Sequence, residues 1–170
     1  LVQAIGIGLA VWVLYQLGML IDRAWFGAAT PIPPDLSGDL LGAYGEELPY
    51  RVVVIGGVVA MLHDRPRGRA LAYAAVISAL LFALAHLPAD LVTGAITDPT
   101  RMLVRFGYGL VLAAVYLATG NVMLATVLHA MVDGPILWVA GPHQIAVTSG
   151  INWAAGLAVA AWYMRNRSRT

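Results

Sequence analysis

The chain has 170 residues, of which 60% are apolar and only 11% are charged, and its mean hydropathy is +0.78. A water-soluble domain carries about 25% charged residues, so this composition excludes a soluble fold. The net charge of +1 includes ten basic residues, all arginine, with no basic face for nucleic acid. Cysteine is absent, which excludes disulfides, thiolate metal sites and a cysteine nucleophile.

Six apolar stretches follow one another along the chain. Each is too long for one strand of a barrel and long enough to approach the roughly 20 residues of a membrane-spanning helix. The sequence therefore predicts an all-α polytopic transmembrane helix bundle of about six spans, with residues 1–170 forming a single membrane domain. Because Leu1 is not a methionine, we expect the natural chain to be longer, and whether further helices precede residue 1 is left open. The predicted spans are 2–21, 41–62, 69–88, 102–119, 121–140 and 147–164.

The charges of the connectors indicate how the chain is oriented in the membrane. Residues 22–39 include a Pro-rich segment without apolar periodicity and are predicted to be a loop. The connector 63–69 and the C-terminal tail 165–170 hold three arginines each, and an even number of spans places both on one side. The positive-inside rule predicts that side to be cytoplasmic. The Arg-rich, Lys-free composition favours a bacterial plasma membrane.

The two glutamates of the chain are adjacent and lie in the second predicted span. Glu47 and Arg51 are four residues apart and share a helix face, whereas Glu46 lies about 100° round the helix. Glu47 is thus predicted to pair with Arg51, whereas Glu46 is not. Pro49 indicates that the helix begins near Leu48 or is kinked there, with both glutamates projecting from a cap. A purely structural role at an acidic helix N-terminus remains open.

Two histidines and an aspartate interrupt the third and fifth spans. His86 ends the third span, and His129 and Asp133 share one face of the fifth. Ionisable side chains at mid-membrane cost about 2.5–3.5 kcal/mol each and are functional candidates by default. Alternating helix direction brings Glu46, His86 and Asp133 to one membrane face, with His129 one turn deeper. A single polar pocket is therefore predicted, although hydrogen-bonded core contacts remain the structural alternative.

Other polar residues are predicted to be structural. His63 and His143 lie in connectors and are expected to be solvated. Asn121 is expected to cap a helix. Ser78 is a lone hydroxyl in the third span and is expected to bond to the preceding turn of its own helix.

The three segments together resemble a known family. Glu46-Glu47-x-x-x-Arg51, Phe82-x-x-x-His86 and His129-x-x-x-Asp133 follow one another on separate apolar helices. This order resembles the three motifs of the CPBP family, the CAAX proteases and bacteriocin-processing enzymes, over residues 41–140. Tyr116-Leu117-Ala118-Thr119-Gly120-Asn121 is similar to the usual lead-in to the third motif. The sequence departs from the family at Pro49, and Asp133 stands where many members carry asparagine.

The resemblance implies an intramembrane endopeptidase of the glutamate type or of a metal-dependent type. On the favoured hypothesis Glu46 activates water, His86 positions it, and Glu47 is a scaffold held by Arg51. His129, oriented by Asp133, stabilises the oxyanion, and no cofactor is required. On the metal hypothesis, zinc is bound by Glu46, His86 and His129, which leaves one open coordination position. The expected partners are the bilayer and a membrane-associated or lipidated peptide; substrate and oligomeric state stay open.

Three other functions would use the same residues. A transporter or membrane binder would use the Glu, His and Asp side chains as an ion or proton site. A b-type haem protein would use His86 and His129 as axial ligands. A catalytically idle family member would serve as a scaffold for a partner.

Overall fold

The all-α architecture is confirmed. A computed structural model describes residues 2–30, 36–94, 99–133, 137 and 140–167, and these residues form helices joined by turns, without strands. The Pro-rich residues 31–35, the residues 134–136 and 138–139 of the predicted fifth span, and the tail residues 168–170 lie outside the described residues. The helices are α1 Val2–Phe26, α2 Leu36–Glu47, a π-helical segment Leu48–Val54, α3 Ile55–Met61, α4 Arg67–Ala85, α5 Leu87–Thr93, α6 Pro99–Thr119, α7 Val122–Asp133 and α8 Gln144–Arg167.

The predicted count of six spans agrees only roughly with the structure. Four described segments are long and apolar enough to cross a membrane: Ile5–Phe26, Arg67–Val92, Thr100–Thr119 and Gln144–Trp162. The second predicted span is divided into α2, the π-helical segment and α3, and the fifth corresponds to the 12-residue helix α7. Apolar length alone does not show where a helix changes its winding. Many large apolar side chains face outwards, as expected for a bundle surrounded by lipid.

The helix that carries the glutamates begins earlier than predicted. α2 starts at Leu36, and the chain stays helical through Pro49 because the helix widens into a π-helical segment at Leu48. A proline inside an α-helix removes a backbone donor and crowds the preceding turn, and a π-helical turn is one way to absorb such a defect. The two glutamates therefore occupy the last turn of α2 and do not project from an N-terminal cap.

The first helix also extends beyond its predicted end, to Phe26, and includes Asp22. The Asp22 side chain is buried and accepts a hydrogen bond from the backbone N–H of His143 at 2.9 Å; the His143 Nδ1 atom lies 2.9 Å from the second carboxylate oxygen. The expectation that His143 is merely solvated was wrong, because its ring is half-exposed yet paired with Asp22. The contact ties the turn before α8 to α1.

The core of the bundle forms around α7, which packs against both α1 and α6. The buried apolar side chains of this cluster are Val11, Tyr15 and Met19 from α1, Tyr108, Leu112 and Val115 from α6, Leu124, Ala125 and Leu128 from α7, and Leu137. α6 also packs against α4. This position of α6 brings α4 and α7, which carry the histidine motifs, to the same part of the bundle.

The contact between α4 and α6 depends on a glycine. A Cβ atom at Gly109 would lie 3.0 Å from the Ala79 Cα atom and 3.2 Å from the Phe82 ring. Because the first of these neighbours is backbone, a side chain at position 109 forces the two helices apart. By contrast, a Cβ atom at Gly57 in α3 would meet nothing within 4 Å.

We predict that Gly109→Val destabilises the protein by about 1–3 kcal/mol, the usual cost of overpacking a well-packed contact. Thermal unfolding in detergent measures the effect as a lowered midpoint temperature. Gly57→Val is the matched control and is expected to leave the midpoint unchanged or raised, since the replaced glycine is a poor helix former. Equal midpoints for the two variants would contradict the close approach of α4 and α6.

Candidate active site

The structure brings all six predicted site residues into one connected set of polar contacts. They come from four parts of the fold: the last turn of α2, the π-helical segment, the junction of α4 with α5, and α7. Their catalytic roles stay predictions, whereas their proximity is a feature of the fold. The six residues are Glu46, Glu47, Arg51, His86, His129 and Asp133.

At the centre of the set is an ion pair between Glu47 and Arg51, both fully buried. Arg51 Nε donates to Glu47 Oε2 at 2.7 Å, and Arg51 Nη2 donates to Oε1 at 3.2 Å. This two-pronged geometry matches the planar guanidinium to the carboxylate. The pairing was predicted from the four-residue spacing.

Ser78 of α4 completes the surroundings of Arg51. Its hydroxyl accepts a hydrogen bond from Arg51 Nη1 at 2.8 Å and donates one to the Tyr50 carbonyl oxygen at 2.8 Å. The expectation that Ser78 bonds within its own helix was therefore wrong. A signal was present, because Ser78, Phe82 and His86 are spaced four residues apart and so lie along one face of the helix.

Phe82 packs against three of the site residues. The Arg51 guanidinium lies 5.3 Å from the ring centroid, in a cation–π contact. The rings of His86 and His129 meet Phe82 edge-on, with centroids 4.9 Å and 5.4 Å away. Phe82 is buried, and its ring forms an apolar surface against which both imidazole rings pack.

The His86 ring has its tautomer fixed by the end of α4. Its Nδ1 atom lies 2.8 Å from the Phe82 carbonyl oxygen, which can only accept, so Nδ1–H is the donor. In the neutral ring, Nε2 is then an acceptor. Nε2 faces Glu46 Oε2 at 3.7 Å, which is too far for a direct hydrogen bond and close enough for both atoms to contact one water molecule.

His129 contacts three carboxylates. Its Nδ1 atom lies 2.9 Å from Glu47 Oε1, and its Nε2 atom lies 3.3 Å from Asp133 Oδ2 and 4.0 Å from Glu46 Oε2. The four-residue spacing predicts Arg51 as the partner of Glu47, and the resemblance implies that Asp133 orients His129. The structure adds a second partner for Glu47, which binds the opposite nitrogen of the same ring. Only the packing of α7 against α2 could reveal this contact.

Glu46 differs from its neighbour in that its partners stay at a distance. Its Oε2 atom is buried and has no hydrogen-bond partner within the described segments. The side chain as a whole is 43% exposed, so solvent reaches the carboxyl group from the other side. A carboxylate that is partly exposed and not saturated with hydrogen bonds can exchange a proton with water.

Tyr108 of α6 and Asn152 of α8 form hydrogen bonds that support α7, and neither residue was identified from the sequence. Tyr108 donates a hydrogen bond to the Leu128 carbonyl oxygen at 2.8 Å and accepts one from Asn152 Nδ2 at 3.1 Å. The Tyr108 ring lies 5.8 Å from the His129 ring. Asn152, a buried amide in an apolar helix, is the kind of residue that could have drawn attention.

The zinc hypothesis requires Glu46, His86 and His129 to converge on one point. Within the part of the chain that the structure describes, no three His, Asp or Glu side chains meet in an arrangement that would hold a metal ion. The nitrogen of His129 that faces Glu46 also faces Asp133. The residues as arranged do not fit a ready metal centre, and zinc binding stays a prediction.

A cavity of about 250 Å³ opens beside the two histidines. Its wall is mostly apolar and comes from α4, α6, α7 and α8 as well as the polar site. It can admit both water and part of a substrate to His86, His129 and Asp133, the three site residues in its wall. The lining residues are Phe82, His86, Val104, Arg105, Tyr108, His129, Val132, Asp133, Ser149 and Trp153.

Comparison with known proteins identifies the family. A family model described as "Type II CAAX prenyl endopeptidase Rce1-like" matches residues 34–134, more than half of the chain. The matched region contains all three motifs, so the predicted family is confirmed. No curated protein and no solved structure matches the chain. The chain therefore belongs to the Rce1-like family of type II CAAX endopeptidases, a family of intramembrane proteases.

Proposed function

We propose that this protease hydrolyses a membrane-associated or lipidated peptide with a water molecule activated by Glu46. The observation that carries the proposal is the position of Glu46 Oε2, which is buried without a hydrogen-bond partner among the described residues and faces the Nε2 atoms of His86 and His129. A general base must lie within reach of the proton it removes, directly or through one water. Glu46 meets that condition for a water bound between it and His86.

The water is held by two acceptors. His86 Nε2 accepts one hydrogen, because Nδ1–H is committed to the Phe82 carbonyl, and Glu46 accepts the other. Both hydrogens then point into the protein and a lone pair of the oxygen points towards the cavity. That lone pair attacks the carbonyl carbon of the scissile bond while Glu46 takes the proton.

The oxyanion that forms is stabilised by His129. To donate a hydrogen bond towards the cavity, His129 needs a proton on Nε2. Its Nδ1–H already donates to Glu47. Both ring nitrogens are therefore protonated during the reaction, and His129 acts as an imidazolium. Its charge is balanced by Glu47 on one side and by Asp133 on the other. Donors that are fixed before the reaction stabilise developing negative charge at little reorganisation cost.

The reaction is completed when the tetrahedral intermediate collapses and its C–N bond breaks. Protonated Glu46 gives its proton to the leaving nitrogen, which departs as an amine, and the other product is a carboxylic acid. Glu46 returns to a carboxylate, and one water molecule is consumed per bond cleaved. Glu47 and Arg51 exchange no proton and serve to hold His129.

A prenylated or otherwise lipid-attached peptide is the substrate class that we propose. The family description supports a prenyl-bearing peptide, and the mostly apolar wall of the cavity suits an apolar chain. A proteomic comparison of membranes that contain the wild-type protein or Glu46→Gln identifies candidate substrates. Peptides cleaved only in the wild-type membranes are the candidates.

We predict that Glu46→Gln and His86→Ala each lower kcat/KM for such a peptide by about 10²–10⁴-fold, the usual contribution of a general base. Cleavage is measured in proteoliposomes by mass spectrometry of the products. Asp64→Asn and His63→Ala are the matched controls, since both side chains are exposed in the connector after α3. Turnover retained in either site variant, with normal expression and folding, would end the mechanism.

The role of Asp133 is tested by two substitutions. If Asp133 acts by accepting a hydrogen bond from His129, Asp133→Asn keeps an acceptor and retains activity within about tenfold, whereas Asp133→Ala loses about 10²–10³-fold. The two kcat values at saturating peptide are compared. An asparagine variant as inactive as the alanine variant would mean that the negative charge itself is required.

Zinc dependence is tested on the same proteoliposomes. In the metal-free mechanism, activity persists after dialysis against a strong chelator, and purified protein holds no stoichiometric metal. Elemental analysis before and after dialysis makes the measurement. Loss of activity on chelation, with recovery on adding zinc, would replace the mechanism by one in which Glu46, His86 and His129 hold the ion. Ion uptake that depends on these residues, without cleavage, would favour the transporter alternative.

A further inference from the structure

Two buried polar side chains next to His129 have no part in the proposed chemistry. Tyr108 of α6 and Asn152 of α8 both reach the same atom of α7, the carbonyl oxygen of Leu128. The Tyr108 hydroxyl donates to this oxygen at 2.8 Å, and Asn152 Nδ2 donates to it as well. Two neighbouring helices therefore hold one backbone oxygen of the helix that carries His129.

The Leu128 carbonyl oxygen determines where the next residue lies. A peptide group is planar, so this oxygen lies in one plane with the N–H and the Cα atom of His129. In a regular α-helix the oxygen accepts from the N–H four residues later, a bond that does not fix the helix against its neighbours. The donors from Tyr108 and Asn152 come from outside α7. They therefore fix the His129 Cα atom relative to α6 and α8.

Tyr108 also restricts the rotation of the His129 ring. The two rings meet edge-on with their centroids 5.8 Å apart, and Phe82 of α4 meets the same imidazole edge-on at 5.4 Å. Tyr108 is stacked in turn on Trp153 of α8, with centroids 6.4 Å apart and an interplanar angle of 12°. The same tyrosine thus holds both the backbone and the ring of His129.

A glycine lets α8 approach α6 closely at this level. A Cβ atom at Gly107 of α6 would lie 2.5 Å from the Trp153 ring, so any side chain at position 107 would collide with it. Asn152 precedes Trp153 on α8. The close approach lets the short Asn152 side chain reach the backbone of α7.

Stability alone does not account for the amide of Asn152. Its Nδ2 atom has two acceptors, the Leu128 carbonyl and the Tyr108 hydroxyl at 3.1 Å. Its Oδ1 atom is buried and has no hydrogen-bond partner among the described residues. An apolar residue of similar volume would avoid the cost of that buried acceptor, and polar contacts between membrane helices contribute little to stability on average. What the asparagine supplies is a donor at a fixed place.

We infer that Tyr108 and Asn152 are positioning residues that hold His129 Nε2 where the oxyanion forms. The inference rests on the proposed function, because that function assigns the oxyanion to His129. Hydrogen bonds weaken steeply as their geometry worsens, and a misplacement of about 1 Å can cost about 10²-fold in rate. Asn152 lies outside residues 34–134, so a helix beyond the region matched by the family model contributes to the site.

Asn152→Leu and Tyr108→Phe each remove one donor and keep nearly the same volume. With an S-farnesylated peptide ending in Cys-Val-Ile-Ala in proteoliposomes, we expect each to lower kcat by about 10–100-fold. KM should stay the same, because the oxyanion contact exists only in the transition state. Thr148→Val is the matched control, since Thr148 is equally buried in α8 and its hydroxyl bonds to Gln144 and Ile145 of its own helix. Unchanged kcat in both site variants would overturn the inference.

The position of the ring is measured without turnover by NMR of protein in nanodiscs, with histidine labelled with ¹³C at Cε1. The chain has four histidines, and the His129 signal is the one that His129→Gln removes. We expect Asn152→Leu and Tyr108→Phe to move this signal, because the imidazole leaves its place beside the Phe82 and Tyr108 rings. Thr148→Val should leave it in place. A His129 signal unchanged in both site variants would overturn the inference.

Two readouts separate positioning from a loss of folding. Thermal unfolding midpoints of the variants should stay close to that of the wild type. In a His129→Ala background, Asn152→Leu should lower kcat no further, because the residue that it positions is absent. The same loss in both backgrounds would indicate a merely structural role and overturn the inference. A displaced NMR signal without loss of kcat would support the positioning and overturn the oxyanion role of His129, so the two proposals fail separately.

Discussion

The buried carboxylate of Glu47 is the group on which the rest of the site depends. It accepts two hydrogen bonds from Arg51 and lies 2.9 Å from His129 Nδ1, so it joins the helix that carries the glutamates to α7. Removing one partner of a buried ion pair typically costs about 3–5 kcal/mol, because the other charge stays buried without compensation. The orientation of His129 is therefore inseparable from the integrity of the ion pair.

Two neighbouring glutamates with the same side chain are placed in opposite environments. Glu47 is fully buried and saturated with hydrogen bonds, whereas Glu46 is partly exposed and its Oε2 atom lies beyond hydrogen-bonding distance of both imidazoles. The 100° rotation between consecutive helical residues is sufficient to produce this difference. A saturated carboxylate is a poor base, since its lone pairs are committed. An unsaturated one beside solvent is free to exchange protons, and this is why the proposed chemistry is assigned to Glu46.

Much of this arrangement could be predicted from the sequence, and the missing parts share one cause. Composition gave the membrane class, the spacing of Glu47 with Arg51 gave their pairing, and rare ionisable residues in apolar helices marked His86 and His129. Contacts between helices that are distant in sequence could not be predicted. Helical periodicity shows which residues share one face of a helix, but it does not show which other helix packs against that face. Thus the lone hydroxyl of Ser78 predicts a bond within its own helix, whereas its partners lie on another one. The position of Asp22 near a span end likewise predicts a loop, since one acidic residue there is typical of a boundary.

The proline inside the first motif links local winding to the geometry of the site. Pro49 lies at the start of the π-helical segment, and the next residue, Tyr50, presents its carbonyl oxygen to Ser78. Ser78 in turn accepts from Arg51, so the altered winding, the hydroxyl of α4 and the guanidinium form one continuous chain of contacts. A regular α-helix would direct the Tyr50 carbonyl along its axis to the N–H four residues later. The residue that first looked like an interruption of the motif therefore lies where α4 is fastened to the arginine that holds Glu47.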